Sequence, residues 1–152
     1  MATQGSGYAA RVNTTHRDFP EGLGRLALFV DLPKDELEAI ATSCEEVSFG
    51  EGEWIVRQGD AHSAVYLIVE GQVAVVIDDE DRRILPKGSF FGEVSALLEE
   101  PASASVVART PVTCLVVFGS EFEEFLIAHP QVMYRMLKAE ARRLRTASEW
   151  RT

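Results

Sequence analysis

From Cys44 to Phe118 the chain is a succession of short runs rich in Val, Ile, Phe and Tyr, each closed by a turn signal, and this punctuation constrains the fold more than any other feature. The signals are Gly50-Glu51-Gly52, Gly59-Asp60, Glu70-Gly71, Asp78 to Asp81, and Pro86-Lys87-Gly88. They predict strands over about 46–49, 54–57, 64–69, 72–77, 82–85, 104–109 and 112–118. Spacing this regular predicts an antiparallel barrel or sandwich. With 152 residues, 46% of them apolar, the chain can bury one core and is too short for two ordinary domains.

Helices are expected on either side of the strands. Residues 1–18 mix Gly, Ala, Ser, Thr, Asn and Arg without apolar periodicity and read as a flexible tail, leaving 19–152 as the domain. After Asp31, Pro33 suits a first helical turn, Asp35 and Glu36 complement the positive helix end, and Leu37, Ile40, Ala41 and Cys44 recur at helical spacing. Ser120 is a candidate N-cap for a helix that continues past Pro130. Along it Met133, Leu137, Ala141 and Leu144 form the stripe expected to bury, with Arg142, Arg143 and Arg145 off that stripe.

Charge and rare residues narrow the function. Fifteen Lys and Arg against 24 Asp and Glu give a formal charge of -9, which argues against non-specific attraction to nucleic acid or an anionic membrane. No run reaches the ~20 apolar residues that span a bilayer, and none has signal-peptide character, so a cytoplasmic protein is expected. Cys44 and Cys114 lie too far from other ligand types for a zinc site or redox pair and read as core residues. His16, His62 and His129 fall in a tail, a turn and a helix end, so the histidine cluster of a metal-dependent barrel enzyme is not expected. No catalytic triad, phosphate loop or glycosidase acid pair stands out. Trp54 and Trp150 read as packing residues, Trp150 with the option of covering a pocket mouth or meeting a partner helix.

The informative block lies between two predicted strands: Gly88-Ser-Phe-Phe-Gly92-Glu93-Val94-Ser95-Ala-Leu-Leu98-Glu-Glu-Pro101-Ala102-Ser103-Ala104-Ser105. Glu93 to Leu98 is a short helix candidate. Gly92 lets backbone approach a ligand, and the first-turn amides after it, including those of Val94 and Ser95, face an anion without helical partners. The amides of Ser103 and Ala104 and the hydroxyls of Ser103 and Ser105 extend such a cradle, while Glu93 suits sugar hydroxyls. On local chemistry alone, the same residues read first as a surface crossover with a capping acid.

In order and residues together, the chain resembles the cyclic-nucleotide-binding domain family over about residues 24–145. Leu28-Phe29 and Leu37 resemble its N-terminal helical piece, Gly52 with Arg57-Gln58-Gly59-Asp60 its first barrel turns, Tyr66-Leu67-Ile68 to Gly71 the next hairpin, and Phe91-Gly92-Glu93 the start of its phosphate-binding cassette. The resemblance implies a mainly β fold, an antiparallel jelly-roll β-barrel (double-stranded β-helix) with flanking helices. It also implies a cyclic nucleotide ligand, cyclic AMP or cyclic GMP, and a regulatory role without catalysis. Glu93 would hold the ribose hydroxyl, and the cassette amides with an arginine would hold the cyclic phosphate.

That arginine follows the proline in the family; here the position is Ala102. Losing a charged partner in a buried site costs about 3–5 kcal/mol, roughly two to three orders of magnitude in affinity, so cyclic AMP is expected to bind weakly. Glu93, Glu99 and Glu100 add repulsion, with no base close by in sequence. Arg109, about 23 Å along an extended strand, reads as a solvated strand residue. Two functions follow as expectations. In one, ligand closes the cassette and the C-terminal helix shifts, read by an effector protein or second subunit. In the other, a degenerate barrel serves interaction or homodimerisation through Met133, Leu137, Ala141 and Leu144, or binds a different metabolite. The helix-turn-helix that follows the long helix in bacterial relatives has no room before Thr152, so direct DNA binding is not expected.

Overall fold

The computed structural model describes residues 23–61 and 63–149, so the expected tail over 1–18, His16, His62 and Trp150 lie outside the described residues. A 3-10 turn, Leu23–Arg25, leads into α1, Lys34–Ser43. Strands β1 (Glu45–Phe49), β2 (Trp54–Val56), β3 (Ala64–Glu70), β4 (Val73–Ile77), β5 (Glu80–Leu85) and β6 (Phe90–Phe91) follow. Helix α2 (Glu93–Leu98), strands β7 (Ser105–Ala108) and β8 (Val112–Phe118), and helices α3 (Gly119–Ala128) and α4 (Pro130–Glu149) complete the described residues. The strands form two four-stranded antiparallel sheets, β1-β8-β3-β6 and β2-β7-β4-β5, which is the expected jelly roll.

Strands β3 and β8 lie within the first sheet and read as nearly unbroken apolar runs because both faces are covered. Val65, Leu67, Val69, Leu115 and Val117 pack outward under the helices with Phe29, Ile40, Phe122 and Val132. Tyr66, Ile68, Cys114 and Val116 point inward and meet Val73, Val106 and Ala108 of the opposite sheet. Period-two alternation thus divides one strand between two cores. Both thiols are pushed up by burial, Cys44 to about 12, consistent with packing roles.

Several boundaries differ from the sequence expectation for local reasons. Asp78 and Asp79 both adopt positive φ, 53° and 65°, which closes a two-residue hairpin and lets β5 begin at Glu80. Strand β6 has only two residues, too few for a periodic signal, yet it pairs with β3 and sets Tyr66 and Phe91 in a stack 4.8 Å between ring centres. Ser120 does not cap α3; the helix begins at Gly119 after extended Phe118, without a side-chain cap. The expected continuous C-terminal helix breaks at His129, and Pro130 opens α4, where a missing N–H costs nothing. His129 Nδ1 lies 3.2 Å from Glu36 Oε2, tying that break to α1.

The apolar stripe of α4 also faces the other way from the expectation. Val132 and Met136 are buried, with Ala139 packed beside them, whereas Met133, Leu137, Ala141 and Leu144 are exposed. Both stripes have helical spacing; the core selects the one whose later member, Arg143, reaches a buried carboxylate.

Candidate ligand-binding site

Gly92 stands at the entrance of α2 with φ 89°, and a Cβ there would run into the carbonyl oxygen of Ala64. Glycine is therefore required for the chain to leave β6 and turn Glu93 inward. Glu93 is 5% exposed. The C-terminal end of α2 is closed locally: Glu99 in left-handed conformation donates its amide to Ser95 O, and the Ser95 hydroxyl donates to Glu100 O. The Ser95 side chain is thus spent within the cassette.

A cavity of about 140 Å³ lies between β5, α2, the 102–104 segment and α4. Gly92, Glu93, Val94, Ser95, Ala102, Ser103 and Ala104 line it together, joined by Arg83 and Arg143. Ser105 does not. It is buried beside the cavity, where its hydroxyl accepts the Gln58 amide at 2.8 Å. The Ala102 amide donates to Asp60 O at 2.9 Å and its carbonyl accepts from Gly59 at 2.8 Å, so the backbone at 102 is committed to the adjacent turn.

Arg143 is a cavity residue that the sequence reading of the site does not include. Its guanidinium donates to Glu93 Oε2 at 2.9 Å, to the Ser89 hydroxyl at 3.0 Å and to Phe90 O at 2.8 Å, and it lies 4.3 Å over the Phe90 ring. A base 50 residues away in sequence therefore relieves Glu93, correcting the expectation of unrelieved repulsion. The signal was present: Val132, Met136, Ala139 and Arg143 recur at four-, three- and four-residue spacings on one face. Arg109 is exposed, as expected, just past the end of β7, and it pairs with Asp81 at the rim of the β4–β5 hairpin.

The charges around the cavity form a linked set. Arg143 Nη1 lies 3.7 Å from Glu140 Oε2, too long for a hydrogen bond, and that oxygen is buried without one. Burial first, and then the neighbouring Glu93 carboxylate, push the Glu140 carboxyl up to about 8, although Arg143 and Arg83 oppose the shift. Arg83 is lowered by burial and by the charge of Arg143, offset by Glu93 and Glu140.

Because the folded-state value of Glu140 is raised above its unfolded value, the stability it contributes is complete below about 4.5 and is lost as pH rises through about 8. With solvent screening of this partly exposed group, the expected loss is about 1–2 kcal/mol. Urea unfolding of wild type between those pH values should fall accordingly, and Glu140→Gln should flatten the profile; identical slopes would contradict the assignment.

Among the described residues no group of acidic, His and Cys side chains could hold a metal ion, and no helix is long and apolar enough to cross a membrane.

Comparison with known proteins supplies the family. The family model described as "Cyclic nucleotide-binding domain" matches residues 46–129, more than half of the chain. A cGMP-dependent protein kinase of Plasmodium berghei is 32% identical over 130 residues, 84% of this chain, and one from Eimeria tenella is 28% identical over 82% of it. The chain spans only 15% and 13% of those two relatives. Among solved structures, the catabolite activator protein of Thermus thermophilus superposes with a TM-score of 0.71 at 30% identity, covering 80% of this chain and 59% of that one. The N-terminal domain of a transcriptional regulator from Streptomyces coelicolor gives 0.63 at 26% identity, covering 87% and 96%. The chain shares its fold with these two solved structures. The strand order, the cassette opened by Gly92 and Glu93, and these matches agree: the chain belongs to the cyclic nucleotide-binding domain family, whose members are ligand-binding regulatory modules.

Proposed function

We propose that residues 19–152 act as one cyclic-nucleotide-sensing unit of a cytoplasmic regulatory protein, without catalysis of its own and without direct contact to nucleic acid. The observation that carries this reading is Glu93, buried yet opening onto the cavity and held by a single helix-borne arginine. Gly92, Glu93, Val94, Ser95, Ala102, Ser103 and Ala104 form the ligand wall, Glu93 taking the ribose hydroxyls; Ser105 supports the wall from behind. Either cyclic AMP or cyclic GMP is a candidate, since the kinase relatives are named for cyclic GMP.

Affinity is low in this reading for two physical reasons. Ala102 offers no charge to the cyclic phosphate, and its amide is engaged with Asp60. The cavity, about 140 Å³, is also below the ~300 Å³ at which small-molecule sites begin, so a nucleotide fits best if Arg143 and α4 give way. Arg143 holds Glu93 through Oε2, so a ligand on the same carboxylate is coupled to α4, and the helix shifts only as far as the ligand's differential affinity for the two arrangements drives it. An effector protein reads that shift. Titration followed by amide NMR should move the resonances of Gly92 to Ser95, Ser103, Ala104 and Arg143 with either nucleotide; shifts confined elsewhere would contradict the assignment.

The second reading, a barrel serving as a dimerisation module, is favoured by the stripe on α4, where Leu137 is 63% and Leu144 68% exposed. A second copy of the chain would cover it with an antiparallel or parallel α4 pair. Sedimentation equilibrium should then show a dimer that Leu137→Glu dissociates; a monomer at high concentration would remove this reading.

A further inference from the structure

The basic residues of this acidic chain are unevenly placed. Among the described residues, six Lys and Arg line one open groove of about 740 Å³: Arg25 from the 3-10 turn, Lys87 from the β5–β6 turn, and Arg135, Lys138, Arg142 and Arg143 from α4. Among the described residues, no acidic side chain lines it. Among the described residues, Lys87, Lys138 and Arg142 have no carboxylate partner. Arg135 is anchored by a 3.0 Å bond to Leu28 O, and Lys138 rests 5.5 Å over the Tyr134 ring, so two of the cations are held in place. Apart from Arg143, whose charge Glu93 offsets, three chain segments thus bring like charges together, and a bound anion relieves their repulsion.

We propose that this groove docks an acidic, extended peptide segment of a partner protein. Arg135 and Arg142 are seven residues apart, about 10.5 Å along the helix. Same-face side chains of an extended peptide recur every ~6.7 Å, so three alternate carboxylates cover the row of cations from Arg135 past Arg142. The remainder of the surface selects the size of the anion. With a net charge of -9, a long polyanion such as nucleic acid or a charged membrane meets repulsion beyond the groove, whereas a short segment lies within a Debye length, ~8 Å, of the cations. Arg143 lines both this groove and the smaller cavity, so the docked segment lies against the side chain that holds Glu93. The docking itself is independent of whether a nucleotide binds.

The test is fluorescence anisotropy of labelled hexaglutamate with the full chain. Saturable binding is expected, weakened about tenfold or more from low to high salt. Lys138→Glu with Arg142→Glu, both at exposed positions, should abolish it. Lys34→Glu with Arg82→Glu makes the same change in net charge outside the groove and should leave binding within about twofold. Silence up to millimolar peptide, or equal loss in both pairs of variants, would overturn the proposal. So would tighter binding of an oligonucleotide of equal charge that depends on the same residues, since the groove would then read nucleic acid.

Discussion

Arg143→Ala should destabilise the domain by about 3–5 kcal/mol, the penalty for leaving a buried charge without its partner. Arg143 is 20% exposed and Glu93 7% at the side chain, so solvent does little to replace the lost contact. Three hydrogen bonds and the stacking on Phe90 leave together, which places the loss above that of a surface pair, about 0–1 kcal/mol. Arg143→Lys keeps the charge but loses the fork, and an intermediate loss is expected. Glu93→Gln in the Arg143→Ala background should recover part of the stability, because the buried charge is then gone; a double-mutant cycle in urea should give a coupling of about 1–3 kcal/mol. Stability of Arg143→Ala within about 0.5 kcal/mol of wild type would show that the pair contributes no more than surface contacts do.

The second large effect concerns affinity. Ala102→Arg should strengthen cyclic nucleotide binding roughly tenfold to a hundredfold, equivalent to about 1.5–3 kcal/mol for a hydrogen bond to a charged group. The backbone at 102 is already fixed by its two bonds to Gly59 and Asp60, so the substitution adds a side chain at the cavity wall without redirecting the chain. The gain should fall with added salt less than that of an exposed pair, because the site is partly enclosed. No gain in calorimetric titration would mean that residue 102 is not the sole defect of the cassette, and the enclosure by Arg143 would become the leading cause.

Much of the fold was legible because it rests on local rules. Turn signals placed seven of the eight strands among the described residues, and the run from Glu93 to Leu98 coincides with α2. Strand β6 was not legible, since two residues carry no period, and its existence depends on pairing with β3. That Gly92, Glu93 and the small residues after Pro101 come together around one cavity follows from their local backbone chemistry. Arg143 could not be read from the cassette itself: its role arises when α4 packs its Val132 and Met136 face inward, and sequence spacing alone fits the exposed Met133 and Leu137 face equally well. Ser105 shows the converse. Its hydroxyl suits a ligand in sequence, but the strand pleat turns it toward Gln58.

Calorimetric titration of the wild-type chain with cyclic AMP and with cyclic GMP at moderate salt tests the central claim most directly. Weak but saturable binding of at least one nucleotide, abolished by Glu93→Ala, is the predicted result. No heat up to millimolar ligand with either nucleotide would contradict a sensing role and leave the barrel as an interaction module.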